Sequence, residues 1–148
     1  MNKTRDKKSA GRIVLTLNGG KKTFTCSFGG RTIEIAAPSG GQPHKGVWTP
    51  EGLLVASVEG AVKESFMDLA RKNGLVFFSY KSRAQGIAKG PEGDLAFSEI
   101  RIMPEITVSS SAQGVKAAEL IKIAAKKCGM AKLLTAKISA CPVIKLRK

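Results

Sequence analysis

A chain of 148 residues is long enough to bury a core without disulfide or metal staples and short enough to form one domain. Hydrophobic residues make up 43% of it and charged residues 24%, which excludes disordered and collagen-like classes. No run approaches the roughly 20 apolar residues of a membrane span.

The formal charge of +14 gathers at the two ends: residues 1–12 hold five Lys or Arg against one Asp, and residues 116–148 hold nine against one Glu. Charge of this kind can attract nucleic acid or an anionic membrane. One Trp and one Tyr supply no stacking platform, however, and a solvated tail and helix face account for the charge. A basic nucleic-acid-binding module therefore stands only as an alternative, and no membrane partner is expected. The basic N-terminus is not followed by an apolar segment, so no secretory signal is read. The cysteines Cys26, Cys128 and Cys141, odd in number and sparse, fit a reducing cytoplasm.

Residues 1–11 read as a disordered basic arm, and residues 12–148 as a single α+β domain. Ile13, Leu15 and Leu17 alternate with Val14, Thr16 and Asn18, which predicts a strand, and Asn18-Gly19-Gly20 signals a tight turn after it. The next strand sets Phe24, Cys26 and Phe28 on one face, and Gly29-Gly30 turns the chain into a third through Ile33 and Ile35. These three strands predict an antiparallel meander with one buried face. Residues 37–48, rich in Gly, Pro and Ser, read as a loop.

Thr49-Pro50 supplies an N-cap followed by proline at the first helical position, with Glu51 at the positive end of the helix dipole. The helix is expected to run to Asn73-Gly74, where glycine permits the left-handed stop. Its first half is apolar nearly all round and carries Gly52, Ala56, Ser57, Gly60 and Ala61, a pattern of burial on several sides and close backbone approach. In so small a chain, a second subunit is a natural source of that cover.

Residues 75–84 predict a strand, Gly90-Pro91-Glu92-Gly93-Asp94 a turn, and Phe97 to Val108 a long strand in which Pro104 marks an edge or a bulge. Ser110 with Gln113 forms a capping box for a second helix through Val115, Ala118, Ile121 and Ala125, which stops at Cys128-Gly129. A helical turn from Met130 to Lys137 and one last strand from Ile138 to Leu146 complete the order βββ-α-ββ-α-α-β.

Among residues able to carry chemistry, Cys26 and Cys141 read as plain core positions. Cys128 leaves two readings open, packing or a functional thiol, with Lys126, Lys127 and Lys132 close in sequence. The single histidine, His44, gives a metal site or a hydrolytic triad nothing to build on, so neither metal nor cofactor is expected. The glycine-rich stretch from Gly40 to Gly46 lacks the Gly-Lys-Ser/Thr ending of a phosphate loop. Gly74 to Tyr80 reads as a buried strand rather than an RNA-recognition strand.

The segment Thr49-Pro50-Glu51-Gly52-Leu53-Leu54-Val55-Ala56-Ser57-Val58-Glu59-Gly60-Ala61 resembles the central-helix signature of the OsmC/Ohr family, the osmotically inducible and organic hydroperoxide resistance proteins. Phe97 to Ile102 resembles the family's long strand, and Ala117 to Cys128 the helix that ends in its second cysteine. The resemblance implies an intertwined homodimer around a buried central helix. It also implies a thiol peroxidase site in which one cysteine attacks a hydroperoxide, a second resolves it as a disulfide, and Arg with Glu polarises the reaction. Carried onto this chain, Glu51 matches the glutamate, Cys128 the resolving cysteine and Arg31 the arginine, while Ala61 stands at the attacking position.

A methyl group cannot replace a thiolate nucleophile. Glu51 and Ala61 are also separated by roughly 15 Å along a helix rising about 1.5 Å per residue, so a shared site would need the partner subunit. The expectation is therefore an OsmC-like protein without two-cysteine peroxidase activity, its interface pocket kept for an apolar ligand. The alternative within the family is a hydroperoxide reductase that uses Cys128 with an external thiol.

Overall fold

The computed structural model of the chain describes residues 14–17, 23–36, 47–91 and 96–148. The expected basic arm, the turn at Asn18-Gly19-Gly20, most of the glycine-rich loop with His44, and Glu92 to Asp94 lie outside the described residues. Two compact units divide the chain, Met1–Gly52 and Leu53–Lys148.

The first unit holds the expected meander. β1 (Val14–Leu17), β2 (Thr23–Phe28) and β3 (Arg31–Ala36) form an antiparallel sheet in that order. Gly29 and Gly30 both have positive φ, 56° and 76°, the backbone shape that a two-residue hairpin needs and that side chains resist. Only the end of β3 is covered: Ile35 and Ala36 are buried, whereas Ile33 remains 37% exposed. The Ala36 amide donates to the Trp48 carbonyl at 2.8 Å and ties the chain back beside β3 before the helix begins.

Helix α1 (Pro50–Lys72) starts and stops where its boundary residues predict. The Gly52 amide donates to Thr49 Oγ1 at 3.0 Å, the expected cap. Gly74 adopts φ 62°, and Leu75 donates to the Ala70 carbonyl at 2.9 Å to close the far end. Replacing Thr49 by alanine leaves an amide of the first turn without its acceptor, and about 1 kcal/mol of stability should be lost, read from the denaturation midpoint.

In the second unit, β4 (Phe77–Lys89), β5 (Ala96–Val108), β6 (Lys137–Ala140) and β7 (Val143–Leu146) form a sheet centred on β5. β4 is antiparallel to β5, and both β6 and β7 run parallel to β5. Alternate residues of β5, namely Ile100, Ile102, Pro104, Ile106 and Val108, are buried on one face. The four aliphatic ones form a single cluster with Val58, Val62, Phe66 and Ala70 of α1, with Ala117, Ile121 and Ala124 of α2 (Ser111–Lys127), and with Cys128 at its C-cap. The α1 residues recur every four positions, which makes one stripe of the helix surface. Phe66 carries much of its bulk, with ring centroids 5.6 Å from both Phe77 and Tyr80.

Several expectations change here. β4 continues to Lys89 rather than ending at residue 84, because its helix-facing positions Ser82, Ala84 and Gly86 lie beside Pro104, Ile102 and Ile100, and β5 supplies the bulk. Gly86 is required there, since a Cβ would fall 2.4 Å from the Phe97 ring. Pro104 sits in the central strand, fully covered, rather than at an edge.

The last strand is two strands in one unbroken register, interrupted at Cys141-Pro142 opposite Met103-Pro104, where neither proline can donate to the ladder. The turn after α2 is the shorter Gly129–Lys132. Of the expected α2 positions, Ile121 and Ala125 are buried but Val115 is 62% exposed, and the covered face also takes in Gly114, Ala117 and Ala124. The capping box is half formed: the Gln113 amide donates to Ser110 Oγ at 3.3 Å, but Gln113 Oε1 is buried without a partner.

Candidate functional site

Position 61 lies on α1 between the buried Val58 and Val62, and Ala61 packs half-buried against the core cluster. Its methyl group offers neither nucleophile nor proton.

Cys128 borders the same cluster from the end of α2 and is 2% exposed. The α2 backbone ends there because Cys128 turns to extended geometry, φ −60° and ψ 152°, while its amide still makes the last helical bond, to the Ala124 carbonyl at 2.9 Å. Its thiol donates inward to the Ala125 carbonyl at 3.7 Å. Lys126, Lys127 and Lys132, though near in sequence, are exposed, so their charges stay in water while the sulfur points into the core.

Glu51 and Arg31 belong to the first unit, Glu51 exposed in the first turn of α1 and Arg31 exposed at the start of β3. Ala61 and Cys128 share the second unit, Cys128 within its core cluster and Ala61 packed against that cluster.

Cys26 is half-buried on β2, and Cys141 is exposed, contrary to the expectation of two core residues. Along β6 and into β7 the helix-facing positions are Ile138, Ala140 and Ile144, in register with Ile100, Ile102 and Ile106. Cys141 therefore falls on the opposite face, at the strand break. Among the described residues, no group of three His, Cys, Asp or Glu could hold a metal ion.

One polar cluster escaped the sequence reading. Glu59 lies next to the α1 core stripe and accepts a hydrogen bond from the Ser82 hydroxyl, which β4 turns toward the helices. Burial pushes the neighbouring Tyr80 phenol above the usual tyrosine value and the Glu59 charge adds to that, while Ser82 pulls the other way. The Tyr80 oxygen itself is buried without a hydrogen bond of good geometry, so Ser82 acts on it as a nearby dipole. A carboxylate beside a core stripe, in the apolar half of a helix, needs a polar partner, and that was the available signal.

The sheet face away from the helices is organised by charge. Glu99 accepts from Ser139 at 2.5 Å and from Arg101 at 3.1 Å. Glu105 pairs with Lys145 at 2.8 Å. The Lys145 hydrogen bond, outweighing burial and joined by the charges of Lys145, Lys81 and Arg83, holds the Glu105 carboxyl below the usual range. A carboxyl depressed in the folded state stabilises above its unfolded pKa, and that contribution fades as pH falls through the folded value. An NMR titration should thus place the Glu105 midpoint below that of an ordinary glutamate, and Lys145→Met should raise it.

On the helix side, an apolar recess of about 180 Å³ is lined by Leu54, Phe97, Ile100, Leu134 and Ala136, among others. No helix among the described residues is long and apolar enough to cross a membrane.

With this arrangement in view, comparison with known proteins defines the class. Residues 43–141 match the family model of the OsmC-like proteins, and the chain belongs to that family. No individually curated protein is matched.

The fold is shared with solved structures. An OsmC-like protein of unknown function from Vibrio cholerae is 18% identical with TM-score 0.75, over 91% of this chain and 99% of that one. An OsmC-like protein from Mycoplasma pneumoniae is 17% identical with TM-score 0.72, over 93% and 99%. An organic hydroperoxide resistance protein from Elizabethkingia anophelis is 16% identical with TM-score 0.67, over 95% and 99%.

Proposed function

We propose that this chain is an OsmC-like protein that lacks two-cysteine peroxidase activity and serves as a cytoplasmic homodimer with an apolar ligand pocket. In this reading residues 12–148 act as one domain behind a basic arm at residues 1–11. The observation that carries it is Ala61: the residue that would attack a hydroperoxide in the family pattern is a half-buried methyl group. The burial of Cys128 supports the same reading, because a thiol with 2% exposure has little access to a peroxide in water.

Dimerisation is favoured by two features. The outer edge of β4 has no paired strand among the described residues, and a thirteen-residue open edge is a template for another chain. The first half of α1, Leu53 to Ala56, is apolar yet only half-buried. Sedimentation at micromolar concentration should give a dimer, and a clean monomer would refute that part. The recess lined by Leu54, Phe97, Ile100 and Leu134 is the site favoured for a small apolar ligand.

The chemistry is tested by exposing the reduced protein to one equivalent of an organic hydroperoxide and measuring its intact mass. The chain should not lose the two hydrogens that an intramolecular disulfide removes; their loss would overturn the proposal. The rival, a one-cysteine reductase, requires that Cys128→Ser abolish any peroxide consumption. Nothing in the site geometry favours the nucleic-acid-binding alternative over the others.

A further inference from the structure

The face of the β4–β7 sheet turned away from the helices carries a groove where its third strand is interrupted. Register places Cys141 and Pro142 opposite Met103 and Pro104, and neither proline has an N–H for the ladder. A groove of about 480 Å³ lies at this point, walled by Lys81 and Arg83 of β4, Met103, Pro104 and Glu105 of β5, and Val143 of β7.

Cross-strand pairing sets Lys81 beside Glu105 and Arg83 beside Met103. Glu105 is neutralised by Lys145 at 2.8 Å. Lys81 and Arg83 are both exposed, and neither makes an ion pair among the described residues. Two strand positions apart on one face, their Cα atoms are separated by about 7 Å, close enough for both long side chains to reach one anionic head. Val143, 56% exposed, and Met103 offer apolar wall beside those cations.

We propose that this groove binds a small organic carboxylate, its head held by Lys81 and Arg83 and its apolar body laid against Met103 and Val143. Arginine's fork matches the two oxygens of a carboxylate, and lysine adds a point charge. The site is separate from Cys128 and Ala61, so it does not depend on the presence or absence of peroxidase chemistry.

The test is an amide NMR titration of the full-length protein with hexanoate, with hexylammonium and inorganic phosphate as controls. Saturable shifts at Lys81, Arg83, Met103, Glu105 and Val143, with Kd on the order of 1 mM, are expected for hexanoate alone. The double variant K81E/R83E should bind at least about tenfold more weakly while keeping the remaining spectrum. A second variant, Val143→Ser, which removes apolar wall without adding charge, should weaken hexanoate without abolishing the response. Equal response to hexylammonium, binding of phosphate as tight as hexanoate, or full affinity in K81E/R83E would each overturn the proposal.

Discussion

Phe66→Ala is expected to destabilise the protein by about 3–5 kcal/mol, the range for removing a fully buried aromatic side chain. Phe66 has no exposed surface, and its ring lies 5.6 Å from both Phe77 and Tyr80 at interplanar angles of 45° and 31°. It joins the stripe of α1 to the start of β4, so truncation removes packing from two elements at once. The neighbouring stripe residues Val62 and Ala70 are too short to fill the space. A loss of this size is a large share of the roughly 5–15 kcal/mol that holds a domain folded. The check is denaturant unfolding at fixed protein concentration, since the stability of a dimer depends on concentration. A loss below about 1 kcal/mol would mean that α1 does not depend on this contact.

Ile102→Ala should cost nearly as much, about 3–5 kcal/mol, at the upper part of the range for buried isoleucine. Ile102 is fully buried on the central strand, and its cross-strand neighbours are Ala84 on β4 and Ala140 on β6. With an alanine on either side, neither can move into the vacated volume, and the cavity persists. Ile106 sits on the same face but beside Tyr80 and Ile144, larger groups that can relax toward a gap. The same truncation at position 106 should therefore cost less than at 102, which thermal unfolding of the two variants would show.

The helix boundaries were legible because single residues decide them: Thr49-Pro50 caps one end of α1 and Gly74 permits its stop. The length of β4 was not legible, because Ser82, Ala84 and Gly86 carry no apolar pattern of their own. Their face is defined by the isoleucines of β5, which is information about pairing rather than periodicity. The interrupted final strand has the same origin, since Pro142 matters only once Pro104 is seen to lie opposite it.

For the candidate site, the family pattern located Ala61 and Cys128 in sequence but could not show which way the thiol faces. The 2% exposure of Cys128 within the core cluster shows that the thiol faces inward. Glu59 is not legible in the sequence because one acid in an apolar helix looks like a solvated exception until its hydroxyl partner on β4 is placed.

The central claim, loss of the two-cysteine peroxidase, is tested most directly by steady-state consumption of cumene hydroperoxide by the purified wild-type protein with a dithiol as reductant. Because Ala61 supplies no thiolate, the rate should match that of dithiol and hydroperoxide without protein. Saturable turnover proportional to protein concentration would contradict the account.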